Sequence, residues 1–230
     1  MKYLLTILIF FSLAGNVSAA IAHYNSYDAT SVFTGSFDGG TGTNRVIVFR
    51  GAADTSDNIT SVTWNGEGFT KFITVNYAAI GRYNVLWCLQ PTGTGTQNYA
   101  INGIGGSSIL TFSVYTGAGN CKNNVHTTGT GTSGSATASP APATDSWLVG
   151  GGGNDAAALV MGANTTARGF TGSSQGGADS NGVTSPTALN FSFGGGSANW
   201  AAYLVEIPAV AGAVSTPTSL LGLVRAFWIF

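Results

Sequence analysis

The chain has 230 residues, 44% of them hydrophobic and only 7% charged, with a net charge of −1. That hydrophobic share excludes a disordered chain, which couples low hydrophobicity to high net charge. The near-neutral balance excludes the basic footprint of a nucleic-acid binder.

The first twenty residues, MKYLLTILIFFSLAGNVSAA, place Lys2 before an apolar run from Leu4 to Ala14, followed by small residues. This is the pattern of a secretory signal peptide. Val17 and Ala19 suit the −3 and −1 positions, so residues 1–19 are read as the leader. The run is too short to span a membrane comfortably. The expected location is extracellular or at a cell surface, with the periplasm as an alternative.

From residue 20 to 209 the recurring signal is period-two alternation in short runs broken by Gly, Asn, Pro and Thr. NRVIVFRG (44–51) is continuously apolar at its centre, as in a strand buried on both faces. Asp54, Asp57 and Glu67 lie around the next turn. They lack the spacing of a calcium loop and are read as solvated acids. SVTWNGEGF (61–69) carries Val62 and Trp64 into Asn65-Gly66, the strongest short hairpin signal. Tyr77 and Tyr83 flank AAIGR and are the candidate loop-borne aromatics for a glycan ligand.

In RYNVLWCLQ (82–90), Tyr83, Val85, Trp87 and Leu89 share one face, while Arg82, Asn84, Leu86, Cys88 and Gln90 share the other. SILTFSVYTG (108–117) aligns Leu110, Phe112 and Val114. Residues 127–146 are rich in Thr, Ser, Gly, Ala and Pro. They are read as a surface connection or a weakly patterned edge strand, because neither half alone promises enough strands for a core. VGGGGND (149–155) lacks the lysine and following helix of a phosphate loop and is read as a Gly-rich strand end. SWLVGG, LNFSF and WAAYLVEI complete the strands. Trp64, Trp87, Trp147 and Trp200 all fall within apolar alternation and are assigned to the core.

The expected fold is all-β: a single antiparallel β-sandwich, jelly-roll-like, of about nine or ten strands. The segments ITSVTWNGEGFTKF, YNVLWCLQPTGTGTQNYAI, LTFSVYTG and WAAYLVEIPA, in that order, resemble a group of secreted bacterial and phage surface proteins. The resemblance covers roughly residues 44–208 and implies a jelly-roll or concanavalin-like sandwich appended to secreted or virion-associated proteins. Two departures occur together: Cys88 stands where the group's pattern has an aromatic, and Cys121 appears in AGNCKNN.

Cys88 and Cys121 are the chain's two cysteines. An exported chain favours their pairing. The alternatives are two unpaired thiols, or chemistry assisted by His23 or His126, with too few ligands for a dedicated zinc site. No cofactor or metal is expected, and no catalytic residue is assigned.

Residues 210–230 form an apolar tail in which Leu220, Leu223, Phe227, Trp228 and Phe230 are the candidate assembly or membrane contacts. The expected function is a non-enzymatic structural or adhesive surface protein, with self-association or other surface or virion proteins as partners. A lectin-like module is the alternative, and a polysaccharide-active enzyme comes third, by fold analogy alone.

Overall fold

The computed structural model describes residues 20–54, 58–77, 82–104, 108–155, 158–169, 174–183, 185–194 and 196–210. The signal segment and the apolar tail, including Leu220, Leu223, Phe227, Trp228 and Phe230, lie outside them.

The described chain is all-β, and every ladder is antiparallel. The first half supplies β1 (Ala22–Asp28), β2 (Thr34–Asp38), β3 (Arg45–Asp54), β4 (Ser61–Trp64), β5 (Glu67–Gly68), β6 (Thr70–Tyr77), β7 (Arg82–Leu89), β8 (Thr96–Asn102) and β9 (Ile109–Thr116). The second half supplies β10 (Lys122–Gly131), β11 (Ser133–Thr137), β12 (Trp147–Asn154), β13 (Leu159–Met161), β14 (Thr166–Ala167), β15 (Gln175–Asp179), β16 (Ala188–Phe193) and β17 (Ala198–Ile207).

These strands build four sheets, not one sandwich of nine or ten strands. Two have five strands each, ordered β1-β9-β3-β7-β6 and β10-β17-β12-β15-β14. The others are β2-β8-β4-β5 and β11-β16-β13. Replacing β1, β9, β3, β7 and β6 by β10, β17, β12, β15 and β14 turns the first five-stranded sheet into the second. The same shift turns β2-β8-β4 into β11-β16-β13. The chain is therefore a tandem structural repeat, with its junction at Gly117–Cys121.

Three apolar cores separate four layers. The first half closes its own sandwich around Ile47, Phe49, Trp87 and Phe112 from the inner sheet, with Phe37, Val62, Trp64 and Tyr99 from the outer. Phe112 anchors it, with its ring 4.7 Å from Phe37, 4.9 Å from Phe49 and 5.0 Å from Tyr99. The second half repeats the arrangement with Leu148, Ala202 and Leu204 against Leu189, Phe191 and Phe193. Between the halves, Val46, Val48, Leu86 and Tyr115 meet Val149, Tyr203, Val205 and Ile207. Each half thus has strands enough for a core, contrary to the sequence expectation. The short strands β13, β14 and β5, too brief to register as alternation, make up the difference.

Alternation accounts for the layering. On β3, Val46 and Val48 face the central core while Ile47 and Phe49 face the outer one. Burial on both faces demands the uninterrupted VIVF run. Each such side chain contributes about 1.5–3 kcal/mol relative to exposure. Residues 127–137 fall on β10 and β11, each at a sheet edge, which explains their weak pattern. The Asn65-Gly66 hairpin forms as expected, pairing Trp64 with Glu67, with φ of 52° and 76° at the turn.

The glycine run forms the C-terminal half of β12, the strand end that the sequence implied, and it is a packing requirement. A Cβ at Gly151 would stand 2.5 Å from the Gly176 carbonyl and 2.7 Å from the Tyr203 hydroxyl, and one at Gly152 would press the Phe191 ring at 3.2 Å. Glycine lets the two rings cover this strand from opposite faces.

Candidate functional site

Two polar constructions interrupt the apolar architecture. The first lies between the halves. Arg50 continues the Val46–Val48 face of β3 into the central core and is fully buried. Its guanidinium donates to the Gly150 carbonyl at 3.1 Å, the Ala178 carbonyl at 3.0 Å, the Arg168 carbonyl at 3.0 Å and Ser113 Oγ at 2.5 Å. Three of those acceptors belong to the second half. Beside it, Arg168 donates to buried Asp179 at 2.6 Å and to Asn181 Oδ1 at 2.9 Å. His23 borders the group, with Nε2 2.8 Å from Ser26 Oγ and its ring 5.6 Å from that of Tyr115. Burial, followed by the positive charge of Arg168, holds its imidazole below the usual 6.5.

The second construction is at the end where β3 begins. Arg45 is 1% exposed, and its donors reach the carbonyls of Gly39, Gly40, Gly42 and Gly93. Glu67 accepts from the Thr92 and Gly93 amides at 2.9 Å each. Desolvation raises the Glu67 carboxyl, but those backbone bonds and Arg45 outweigh it and leave it below its ordinary 4.5. Together the pair clamps the β2–β3 loop to the β7–β8 loop. A pocket of about 520 Å³ lies there, lined by Gly42, Thr43, Gln90, Pro91, Thr92 and Thr94.

The cysteines are bonded: Cys88 on β7 joins Cys121 at the start of the second half, with Cα atoms 6.2 Å apart. Cys88 packs in the central core, on the face of β7 opposite Trp87, where Cys121 in the connection before β10 reaches it. Both thiols are occupied, which removes a thiolate nucleophile or a zinc thiolate as a role for either. A buried disulfide is the mark of an oxidising compartment. No helix among the described residues is long and apolar enough to cross a membrane.

The register pairs Tyr83 with Asn76 and Tyr77 with Arg82, so the two candidate aromatics are not ladder partners. Tyr83 is half-buried, and the Tyr77 side chain lies outside the described residues, as do those of Asp54 and Asp57. Glu67 is tied to backbone amides instead of standing free in solvent. Glu206 accepts from Ser146 Oγ at 2.7 Å and the Ala143 amide at 3.0 Å. Among the described residues no group of three or more His, Cys, Asp or Glu could hold a metal.

Tyr24 on β1, absent from the sequence expectation, is an exposed aromatic near the start of β3. It is 48% exposed, and its hydroxyl donates to Asp38 Oδ2 at 2.7 Å. Its signal was an aromatic flanked by His23 and Asn25 in AHYNSYD, whose second tyrosine, Tyr27, is the one that packs against the core. Trp200, assigned to the core, is only half-buried. Trp64, Trp87 and Trp147 are buried as expected.

No family model matches the chain, and comparisons with curated proteins and with solved structures return no match.

Proposed function

We propose that this protein is a non-enzymatic, exported structural or adhesive surface protein, of the kind implied by its resemblance to secreted bacterial and phage surface sandwiches. One observation carries the reading: among the described residues the buried Arg45, Arg50, Asp179 and Glu206, with half-buried Glu67, hold the body together. Arg50 ties the two halves, Arg45 and Glu67 tie two loops, Asp179 holds Arg168, and Glu206 holds the segment before β12. A catalytic carboxyl or base must instead be free to reach a reacting atom.

The way the chain leaves the body supports display from one end. β1 starts at Ala22 opposite Thr116, and the Val210 amide donates to the Gly117 carbonyl at 3.0 Å. Val210 thus lies at the same end of the inner sheets as the start of β1, and the apolar tail is the part that assembles with other copies, an envelope or a virion.

Light scattering coupled to size exclusion tests the assembly. The exported chain forms concentration-dependent oligomers, and deleting Thr216–Phe230 abolishes them. A full chain that stays monomeric at every concentration, or oligomers indifferent to the deletion, would overturn it.

A further inference from the structure

We propose that the chain carries two saccharide-contact pockets in counterpart loops of the repeat, one in each half, both at the end where β1 begins and β17 finishes. The repeat makes the β7–β8 loop and the β15–β16 loop counterparts: each carries the chain from an inner five-stranded sheet to its outer sheet. Each loop contains a buried proline followed by an exposed threonine, Pro91-Thr92 in one and Pro186-Thr187 in the other. Each lines a pocket. The first is the 520 Å³ pocket of Thr43, Gln90, Pro91, Thr92 and Thr94. The second, of about 120 Å³, is lined by Asn164, Val183, Ser185, Pro186, Thr187 and Asn190, among others.

Both pockets open toward the same end. Val46 pairs with Tyr115, whose ring lies 6.0 Å from that of Trp147, while Arg50 bonds the Gly150 carbonyl. Strands β3 and β12 therefore start together and run side by side, and the two loops leave from the edge where both begin.

The lining selects the ligand class. It offers hydroxyls and carboxamides beside proline and threonine carbon, and no ionisable side chain. Beside the first pocket, Arg45 and Glu67 are held by backbone carbonyls and amides beneath the loops, and the Asp38 carboxylate is held by the Tyr24 hydroxyl and the Gly40 amide. A ligand that satisfies hydroxyl and amide groups while laying carbon on a proline ring, and that brings no charge, is a neutral sugar. Tyr24 adds a stacking face. Its ring lies flush on Gly40, where a Cβ would meet it at 3.3 Å, two residues before Gly42 of the pocket. Asp38 fixes both elements, accepting from the Tyr24 hydroxyl and the Gly40 amide. An aromatic held rigid by its hydroxyl binds a ring face at little entropic cost.

This inference is independent of tail-driven assembly: a monomer can bind sugar, and an oligomer can ignore it. The test is a ¹⁵N–¹H NMR titration of the exported chain with cellotriose, maltotriose, mannotriose and chitotriose, using trigalacturonic acid as the charged comparison. At least one neutral trisaccharide shifts the amides of Thr43, Thr92 and Thr94 together with those of Val183 and Thr187. Tyr24→Ala weakens the first set at least fivefold and leaves the second set and the melting temperature unchanged. The proposal is overturned if no neutral trisaccharide moves either set, if the shifts fall only around Tyr83, or if the acidic sugar binds better than every neutral one.

Discussion

The guanidinium of Arg50 occupies the space that a side chain at position 177 would fill. A Cβ on Gly177 would overlap Arg50 Nε and stand 2.8 Å from the Arg168 carbonyl. The two residues come from different halves, so the arginine and the glycine form one joint. Gly177→Ala forces the guanidinium or the backbone aside and costs about 1–3 kcal/mol. Arg50→Met strands the carbonyls of Gly150, Ala178 and Arg168 in the core and costs about 3 kcal/mol or more. Urea midpoints of the two variants and the double variant measure this. The double variant loses less than the sum, because one change removes the group the other collides with.

Reduction of Cys88–Cys121 loosens the same joint at a second point. The bridge closes a sequence separation of 33 residues. In the chain-entropy account its loss costs about 3–4 kcal/mol. The Cys88→Ala/Cys121→Ala variant therefore unfolds at a lower urea concentration than the oxidised parent, and reductant does not shift its midpoint further. A midpoint equal to that of the parent would show the bridge to be dispensable.

His23 and Glu67 each make stability depend on pH. Burial and Arg168 hold the folded imidazole of His23 below 6.5, so the unfolded chain takes up the proton first as pH falls. Its contribution is complete above about pH 6.5 and declines as pH drops below that value. Arg50 and Arg168 oppose the charged form, and Asp179 opposes them only in part. His23→Gln flattens the pH 5–7 limb of a stability curve measured by denaturant unfolding. An unchanged limb would assign it to another group.

The second group is Glu67, whose folded carboxyl is held below 4.5. Its contribution is full above that pH and is lost as pH falls through the folded value. Glu67→Gln removes two charge-assisted bonds to the β7–β8 loop. The amides of Thr92 and Gly93 then exchange hydrogen faster, while those of β3 and β9 do not. Unchanged exchange at Thr92 and Gly93 would show the loop to be held without the carboxylate.

Strand chemistry was readable along most of the chain. VIVF announced a strand covered on both sides, Asn65-Gly66 announced its hairpin, and the alternation in RYNVLWCLQ assigned Trp87 and Cys88 to opposite faces. The repeat was hidden because its halves share a hydrogen-bonding order and not side chains: where the first half places Arg50, the second has glycines that receive it. The edge strands β10 and β11 have one open flank and so need no apolar period. The pocket end escaped notice for a related reason. Thr43, Gln90 and Thr94 resemble ordinary turn residues until Arg45 and Glu67, distant in sequence, draw their loops together.

The two halves behave as one welded body, joined by Arg50 and by Cys88–Cys121. Hydrogen exchange in increasing urea, followed by mass spectrometry of peptides from β3–β9 and from β12–β17, tests that most directly. In the oxidised chain both sets of peptides open at a single common free energy, and they separate in an Arg50→Met chain lacking both cysteines. Two distinct opening energies in the unaltered chain would show that the halves are not welded.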